Sequence, residues 1–241
     1  MPKPVCAIVG SGEGLGASLA RVFAEGGSDI AVMSRTPKGS AAALEAARAA
    51  GARAEYFPVD ARDAAAMEGA FKPVEAALGP VEILIYNVRG GLSFKAPMDT
   101  GPDELAAALQ LEVVGAFAAA RGVLPGMLER GRGTILYSSA TAALRGSAKG
   151  MLYSTAKFGL RAVSQSLAKA YAAKGIHVVH VRLDCALDVP IVRAMMGSQY
   201  SKDKVANTDD VARSYLWVHQ QPRSAWSNEV ELRPWTEDWT I

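Results

Sequence analysis

The sequence predicts a doubly wound α/β fold, a parallel sheet of about seven strands with helices on both faces. Two observations predict it. Short runs rich in β-branched and aliphatic residues recur along the 241-residue chain, and an Ala-rich stretch with helical spacing separates most of them from the next. Half of the residues are hydrophobic, enough for one large core, so residues 1–241 read as a single domain.

The first run, "VCAIV" (5–9), stops at Gly10 and reads as a strand rather than a signal peptide or membrane span. "DIAVMS" (29–34), "ARAEYFPV" (52–59), "VEILIYN" (81–87), "GTILYSS" (133–139) and "IHVVHVRL" (176–183) follow, and "EVELRP" (229–234) adds a seventh strand. Leu105, Leu109, Val113 and Phe117 recur every four residues, which predicts the core stripe of a long helix; another helix opens at 152 with Leu160, Val163 and Leu167 on one side. Residues 184–206, "DCALDVPIVRAMMGSQYSKDKVA", break this rhythm. A long irregular segment in a compact domain suits a substrate loop. Trp235 and Trp239 near the terminus are expected to pack on the body or on a partner subunit.

Charge narrows the partners. The 26 basic and 24 acidic residues are interleaved and leave a net charge of only +2, so neither a nucleic-acid face nor a polybasic membrane patch is expected, and the partner is a small molecule. Cys6 and Cys185, the only cysteines, lie in apolar runs and read as reduced packing residues of a cytoplasmic protein. His177 and His180 are three apart on a strand, which turns them to opposite faces, and His219 sits in a helical stretch, so no metal site is expected.

The chemistry starts at "VGSGEGLGASLARVFAEGG", where glycines at 10, 12, 14 and 16 join the first strand to a helix. A strand-to-helix turn without side chains lets a phosphate approach the helix N-terminus, whose free N–H groups and dipole favour anions. Two registers fit: Gly12, Gly14 and Ala17 as a dinucleotide fingerprint, or Gly10, Gly14 and Gly16 as G-x-x-x-G-x-G. Both give a Rossmann-like cofactor site. An acidic residue ending the second strand would hold the ribose 2′-hydroxyl of NAD; here the strand runs into "MSRTPKG", with Ser34, Arg35 and Lys38 able to neutralise a 2′-phosphate. NADP(H) is therefore expected over NAD(H). In "YSTAKFG" (153–159), Tyr153 and Lys157 are four apart and share one helix face.

Taken in order along the chain, these motifs resemble those of the short-chain dehydrogenase/reductase family, and the resemblance covers nearly the whole sequence. Gly10, Gly14 and Gly16 match its cofactor glycines, Asp60 in "PVDARD" its acidic residue near the adenine, Asn87 in "LIYNVRGG" the second Asn of Asn-Asn-Ala-Gly, and Tyr153 and Lys157 its Tyr-x-x-x-Lys. The resemblance implies that Tyr153 is the acid/base and that Lys157 anchors the nicotinamide ribose. An ammonium about 4 Å from the phenol, at an effective dielectric of about 20, would favour the phenolate by about 4 kcal/mol and pull the tyrosine toward neutrality. The helix from Tyr153 is dense in Ala, Ser and Gly, and the family pairs that helix across a two-fold axis, which implies a homodimer or homotetramer.

The chain also departs from the family. Its catalytic Ser, thirteen residues before the Tyr, is Ala140 here; Ser138 and Ser139 precede it, and a one-residue shift would bring Ser139 to the carbonyl. Glu112 stands for an Asn, Asp184-Cys185 for Pro-Gly, and Val189 for the Thr that meets the nicotinamide amide. Tyr86, Val88 and Arg89 replace smaller residues around Asn87 and would crowd or recharge the cofactor cleft. The expected function is NADP(H)-dependent interconversion of a carbonyl and an alcohol, with Tyr153, Lys157 and Ser139 catalytic. The alternative is a catalytically reduced NADP-binding sensor or interaction subunit.

Overall fold

The structure is a computed structural model and describes residues 2–90 and 93–237. Five buried residues make β1 (Val5–Val9), which pairs in parallel with β2 (Asp29–Ser34) on one side and β4 (Val81–Tyr86) on the other. Beyond β2 lies β3 (Ala54–Pro58); beyond β4 come β5 (Gly133–Ala140) and β6 (Ile176–Leu183). The seven-stranded sheet is closed by β9 (Glu229–Leu232), and its order is β3-β2-β1-β4-β5-β6-β9 with every pair parallel. Strand order reverses direction at β1, and the crevice beyond the carboxyl ends of β1 and β4 is where such sheets take ligands.

Alternate residues of each strand face two separate cores. On one face α1 (Leu15–Glu25), α2 (Pro37–Ala49) and α9 (Thr208–His219) bury Leu19, Phe23, Tyr215 and Val218 against Ile8, Ile30 and Ile83. On the other, α3 (Ala64–Gly69), α4 (Phe71–Leu78), α6 (Gly115–Arg130) and α7 (Met151–Tyr171) bury Met67, Phe71, Val123, Met127 and Leu160 against Val9, Leu84 and Ile135. Each such side chain contributes about 1.5–3 kcal/mol when fully buried, so the two cores fix the sheet between its helix layers. Arg161 on α7 fastens the edge strand, its guanidinium donating at 2.7 and 2.9 Å to the two oxygens of Glu229.

Three expectations change. The Leu105, Leu109, Val113 and Phe117 stripe is not the core face: α5 (Pro102–Leu109) passes through a π-turn at Gln110–Val114 before α6, and Phe117 is exposed. The wider turn rotates the helix, so Ala116, Ala119, Ala120 and Val123 face the sheet instead. This Pro102–Arg130 helix is long and apolar enough to cross a membrane by length and composition, but it packs here as a core helix. Residues 184–206 are not irregular. They hold β7 (Ala186–Leu187), α8 (Pro190–Met196) and β8 (Val205–Ala206), with β7 and β8 paired in a two-stranded sheet of their own. Trp235 is 84% exposed, which removes packing on the body and leaves a partner subunit as its expected cover; Trp239 lies outside the described residues. His177 and His180 do face opposite sides: His177 stacks on Trp226, while His180 is buried with neither ring nitrogen hydrogen-bonded among the described residues.

Candidate active site and cofactor cleft

A cleft of about 530 Å³ opens at the carboxyl ends of β1, β2 and β4, and Gly10, Gly12, Ser34, Arg35, Asp60 and Asn87 all line it. Gly10 has φ +86°, and a Cβ there would lie 2.7 Å from the Asn87 carbonyl oxygen, so only glycine lets β1 and β4 approach at this turn. Asn87 answers by donating from Nδ2 to the Gly10 carbonyl at 3.1 Å. Gly12 faces open space in the cleft. Gly14 and Gly16 do not line it. Gly16 packs on the Ser11 backbone, and Gly14, the N-cap of α1, is covered by the Val189 side chain. No side chain caps α1, which leaves its first N–H groups without a side-chain partner.

The cations of the cleft differ in their partners. Arg62, missed in the sequence, donates from Nε and Nη2 to both oxygens of Asp60 and holds that carboxyl down at about 2. Arg35 and Arg89 have neither a hydrogen bond nor an ion pair among the described residues and stand exposed at the rim. The Ser34 hydroxyl is already engaged with the Thr36 carbonyl at 3.0 Å and with Ser40 Oγ at 2.5 Å.

The second group of residues sits beyond the cleft, where α7 crosses the end of β5. Tyr153 and Lys157 share a face of α7, with Lys157 Nζ 5.6 Å from the Tyr153 ring centre. Lys157 also donates to the Ser138 carbonyl at 3.3 Å. Alternation along β5 separates the two serines. Ser138 turns to the α9 side and accepts from the Tyr215 hydroxyl at 2.9 Å; Ser139 turns to the α7 side, buried, its Oγ without a hydrogen-bond partner among the described residues. Ala140 ends the strand and brings only a methyl group.

Glu112 dominates the electrostatics. Its Oε2 lies 2.7 Å from Lys157 Nζ, with both side chains only 3% exposed, and its Oε1 accepts from Gly90 N at 2.7 Å. Lys157 is therefore answered by a buried carboxylate instead of acting alone on the phenol. Tyr153 is pushed up to about 12, by burial first and by the Glu112 charge second, while Arg89 pulls it down. The expectation that Lys157 would draw the phenol's pKa down is corrected on this ground: the buried carboxylate partners that ammonium, and burial holds the phenol in its protonated form.

Three further departures are internally accommodated. Tyr86 does not crowd the cleft; it is buried, and its hydroxyl donates to the Leu111 carbonyl in the π-turn. That position requires Gly115, where a Cβ would lie 2.6 Å from the Tyr86 oxygen. Asp184 accepts from the Thr141 hydroxyl and pairs with Arg233. Val189 is seated on Gly14 by a short run in which Val189 N donates to Leu187 O at 2.8 Å, and Arg193 clamps Asp188 beside it at 2.6 and 3.0 Å.

A family model described as short chain dehydrogenase matches residues 4–192. The chain belongs to the short-chain dehydrogenase family. A short-chain dehydrogenase structure from Rhodopseudomonas palustris is similar at 30% identity and TM-score 0.82, covering 96% of this chain and 99% of that one. A 2-dehydro-3-deoxy-L-rhamnonate dehydrogenase (NAD(+)) from Sphingomonas sp. (strain SKA58) is 33% identical over 205 residues, 83% of this chain and 80% of that protein. The L-sorbose reductase of Gluconobacter frateurii, solved with NADPH and L-sorbose, shares the fold at 20% identity and TM-score 0.86, covering 97% of this chain and 96% of that one. The chain spans 18%, 59% and 52% of the length of three other curated relatives it matches.

Proposed function

We propose that residues 1–241 act as one NADP(H)-dependent oxidoreductase unit that interconverts a carbonyl and an alcohol, with residues 184–206 closing over the substrate. The observation that carries this reading is the Tyr153–Lys157 pair on one face of α7 at the end of β5, beside a cleft built from the glycine turn. The residues present fit the cofactor. Gly12 leaves open space at the turn, the N–H groups of α1 have no side-chain cap, and Arg35 has no carboxylate partner among the described residues. Gly10 and Gly12 would hold the diphosphate, with Gly16 letting α1 pack close on the Ser11 backbone of the turn; Ser34 and Arg35 would hold the 2′-phosphate, Asp60 the adenine end, and Asn87 and Lys157 the nicotinamide ribose. The name of the Sphingomonas relative carries NAD(+); the preference for NADP(H) in this chain rests on Arg35, which has no carboxylate partner among the described residues.

When bound, the cofactor supplies a hydride to the carbonyl carbon. Tyr153 delivers the matching proton to the carbonyl oxygen and is reprotonated from solvent, so the oxygen leaves as an alcohol. A phenol held at about 12 is fully protonated at neutral pH and serves as the acid of a reduction; the reverse reaction requires its anion. Ser139 Oγ, buried and without a hydrogen-bond partner among the described residues, is the donor proposed for the developing oxyanion. The second reading, a catalytically reduced NADP-binding sensor or interaction subunit, is favoured by Ala140 and by the carboxylate that answers Lys157. Exposed Val114 and Phe117 on the π-turn and α6 and Phe158 on α7 support a homodimer or homotetramer, which light scattering at micromolar protein checks.

NADPH oxidation measured over a panel of ketones, aldehydes and quinones tests the reading. Wild type is expected to reduce at least one, and Tyr153→Phe to lose about 10²–10⁴-fold of that rate while still binding NADPH. Tight NADPH binding with no turnover on any compound selects the sensor reading.

A further inference from the structure

Arg89 leaves β4 two residues after Asn87, at the point where the cofactor cleft meets the Tyr153 side of the site. Its backbone is held: the next residue, Gly90, donates to buried Glu112, which in turn pairs with Lys157. Its guanidinium has no carboxylate, carbonyl or ring partner among the described residues, whereas Arg62 on the same cleft is fully engaged by Asp60. An exposed arginine that lines a cleft and has no partner among the described residues is free to meet a ligand.

The charge count around the acid points to which ligand. Burial acts most on Tyr153; after it the charges that bear on the phenol are Glu112, which raises it, and Arg89, which lowers it. Glu112 has its own cationic partner in Lys157, whereas Arg89 has no anionic partner among the described residues. A neutral ketone would leave it unanswered. A cofactor diphosphate is accounted for at the glycine turn and the N-terminus of α1.

We propose that Arg89 anchors an anionic oxygen group of the substrate, so that this chain reduces oxo acids or phosphorylated carbonyl compounds in preference to their neutral counterparts. The proposal rests on the oxidoreductase reading above and deepens it. The planar guanidinium suits bidentate recognition of a carboxylate or phosphate. The seated anion also cancels the positive charge that draws the Tyr153 proton away, which keeps that proton on the phenol until the carbonyl oxygen takes it. The step itself is unchanged: hydride to carbon, the phenolic proton to oxygen, and the anionic group a spectator.

The test compares matched pairs, 4-oxopentanoate with its methyl ester and dihydroxyacetone phosphate with dihydroxyacetone. Each is measured as kcat/KM with NADPH, in wild type and in Arg89→Gln. The charged member of at least one pair is expected to win by about 10- to 100-fold in wild type, the range of one charge-assisted contact. In Arg89→Gln that ratio should fall toward one, with NADPH affinity by calorimetry unchanged. Equal efficiency within both pairs in wild type, or a ratio that survives Arg89→Gln, overturns the proposal. So does weaker NADPH binding with an intact ratio, which assigns the guanidinium to the cofactor. If nothing is reduced, the oxidoreductase reading fails separately. Calorimetric binding of the oxo acid to the NADPH-loaded protein then decides: binding lost in Arg89→Gln supports the anion site, and no binding in wild type removes it.

Discussion

The two ends of the site match the family's motifs to different degrees. At the cofactor end, Gly10, Gly14, Gly16 and Asn87 match the family's motifs, and the Asn87 side chain donates to the Gly10 carbonyl. At the catalytic end, the Ser, an Asn and the Pro-Gly are replaced, yet the larger replacements carry their own partners. Glu112 has Lys157 and Gly90, Tyr86 has Leu111 and Gly115, and Asp184 has Thr141 and Arg233. Unanswered buried polar groups are costly, so a set of substitutions each matched to a neighbour marks a rebuilt site with a consistent charge pattern. The difference teaches that a motif count alone misjudges this chain, because the function turns on how Lys157 is shared.

The largest expected effect breaks the rebuilt end. Glu112→Gln leaves a buried ammonium without its carboxylate and should destabilise the cofactor-free protein by about 3–5 kcal/mol, read as a fall in Tm by calorimetry. An unchanged Tm would mean that the pair contributes nothing. The next sharpens the catalytic end: Ser139→Ala should lower turnover by about 10²-fold or more, since a positioned donor to an oxyanion is worth about 2.7–4 kcal/mol, with NADPH affinity unchanged. A silent Ser139→Ala together with a faster Ala140→Ser would transfer that role to position 140. The smallest addresses the cofactor end. Arg35→Asp should weaken NADPH binding by about 1.5–3 kcal/mol in calorimetry, and equal wild-type affinity for NADPH and NADH would count against the 2′-phosphate assignment.

Much of this was legible in the sequence because strands and glycine turns are local. The seven strands fell within a residue or two of their runs, and the β1–α1 turn was recognisable from its glycines and their position. The helix stripe misled because a π-turn inserts its rotation between Leu109 and Gly115, which periodicity alone does not reveal. Tyr86 read as an obstruction because its accommodation depends on Gly115, distant in sequence and adjacent in space. Glu112 was recognisable as a departure near Lys157, but the consequence for Tyr153 needed the buried 2.7 Å contact. Arg62 announced nothing, since an Arg two residues after an Asp is ordinary; only its grip on Asp60 brings it to the cleft.

The central claim is that Glu112 offsets Lys157, so that Tyr153 waits as a protonated acid. An ultraviolet difference titration of the cofactor-free protein, wild type minus Tyr153→Phe, reads this phenol alone. The account predicts no Tyr153-dependent tyrosinate below about pH 10, the ordinary tyrosine range, because burial and the Glu112 charge hold it up at about 12. In the Glu112→Gln background the onset should move to lower pH. A Tyr153-dependent tyrosinate with its midpoint near neutrality in the wild type would contradict the account.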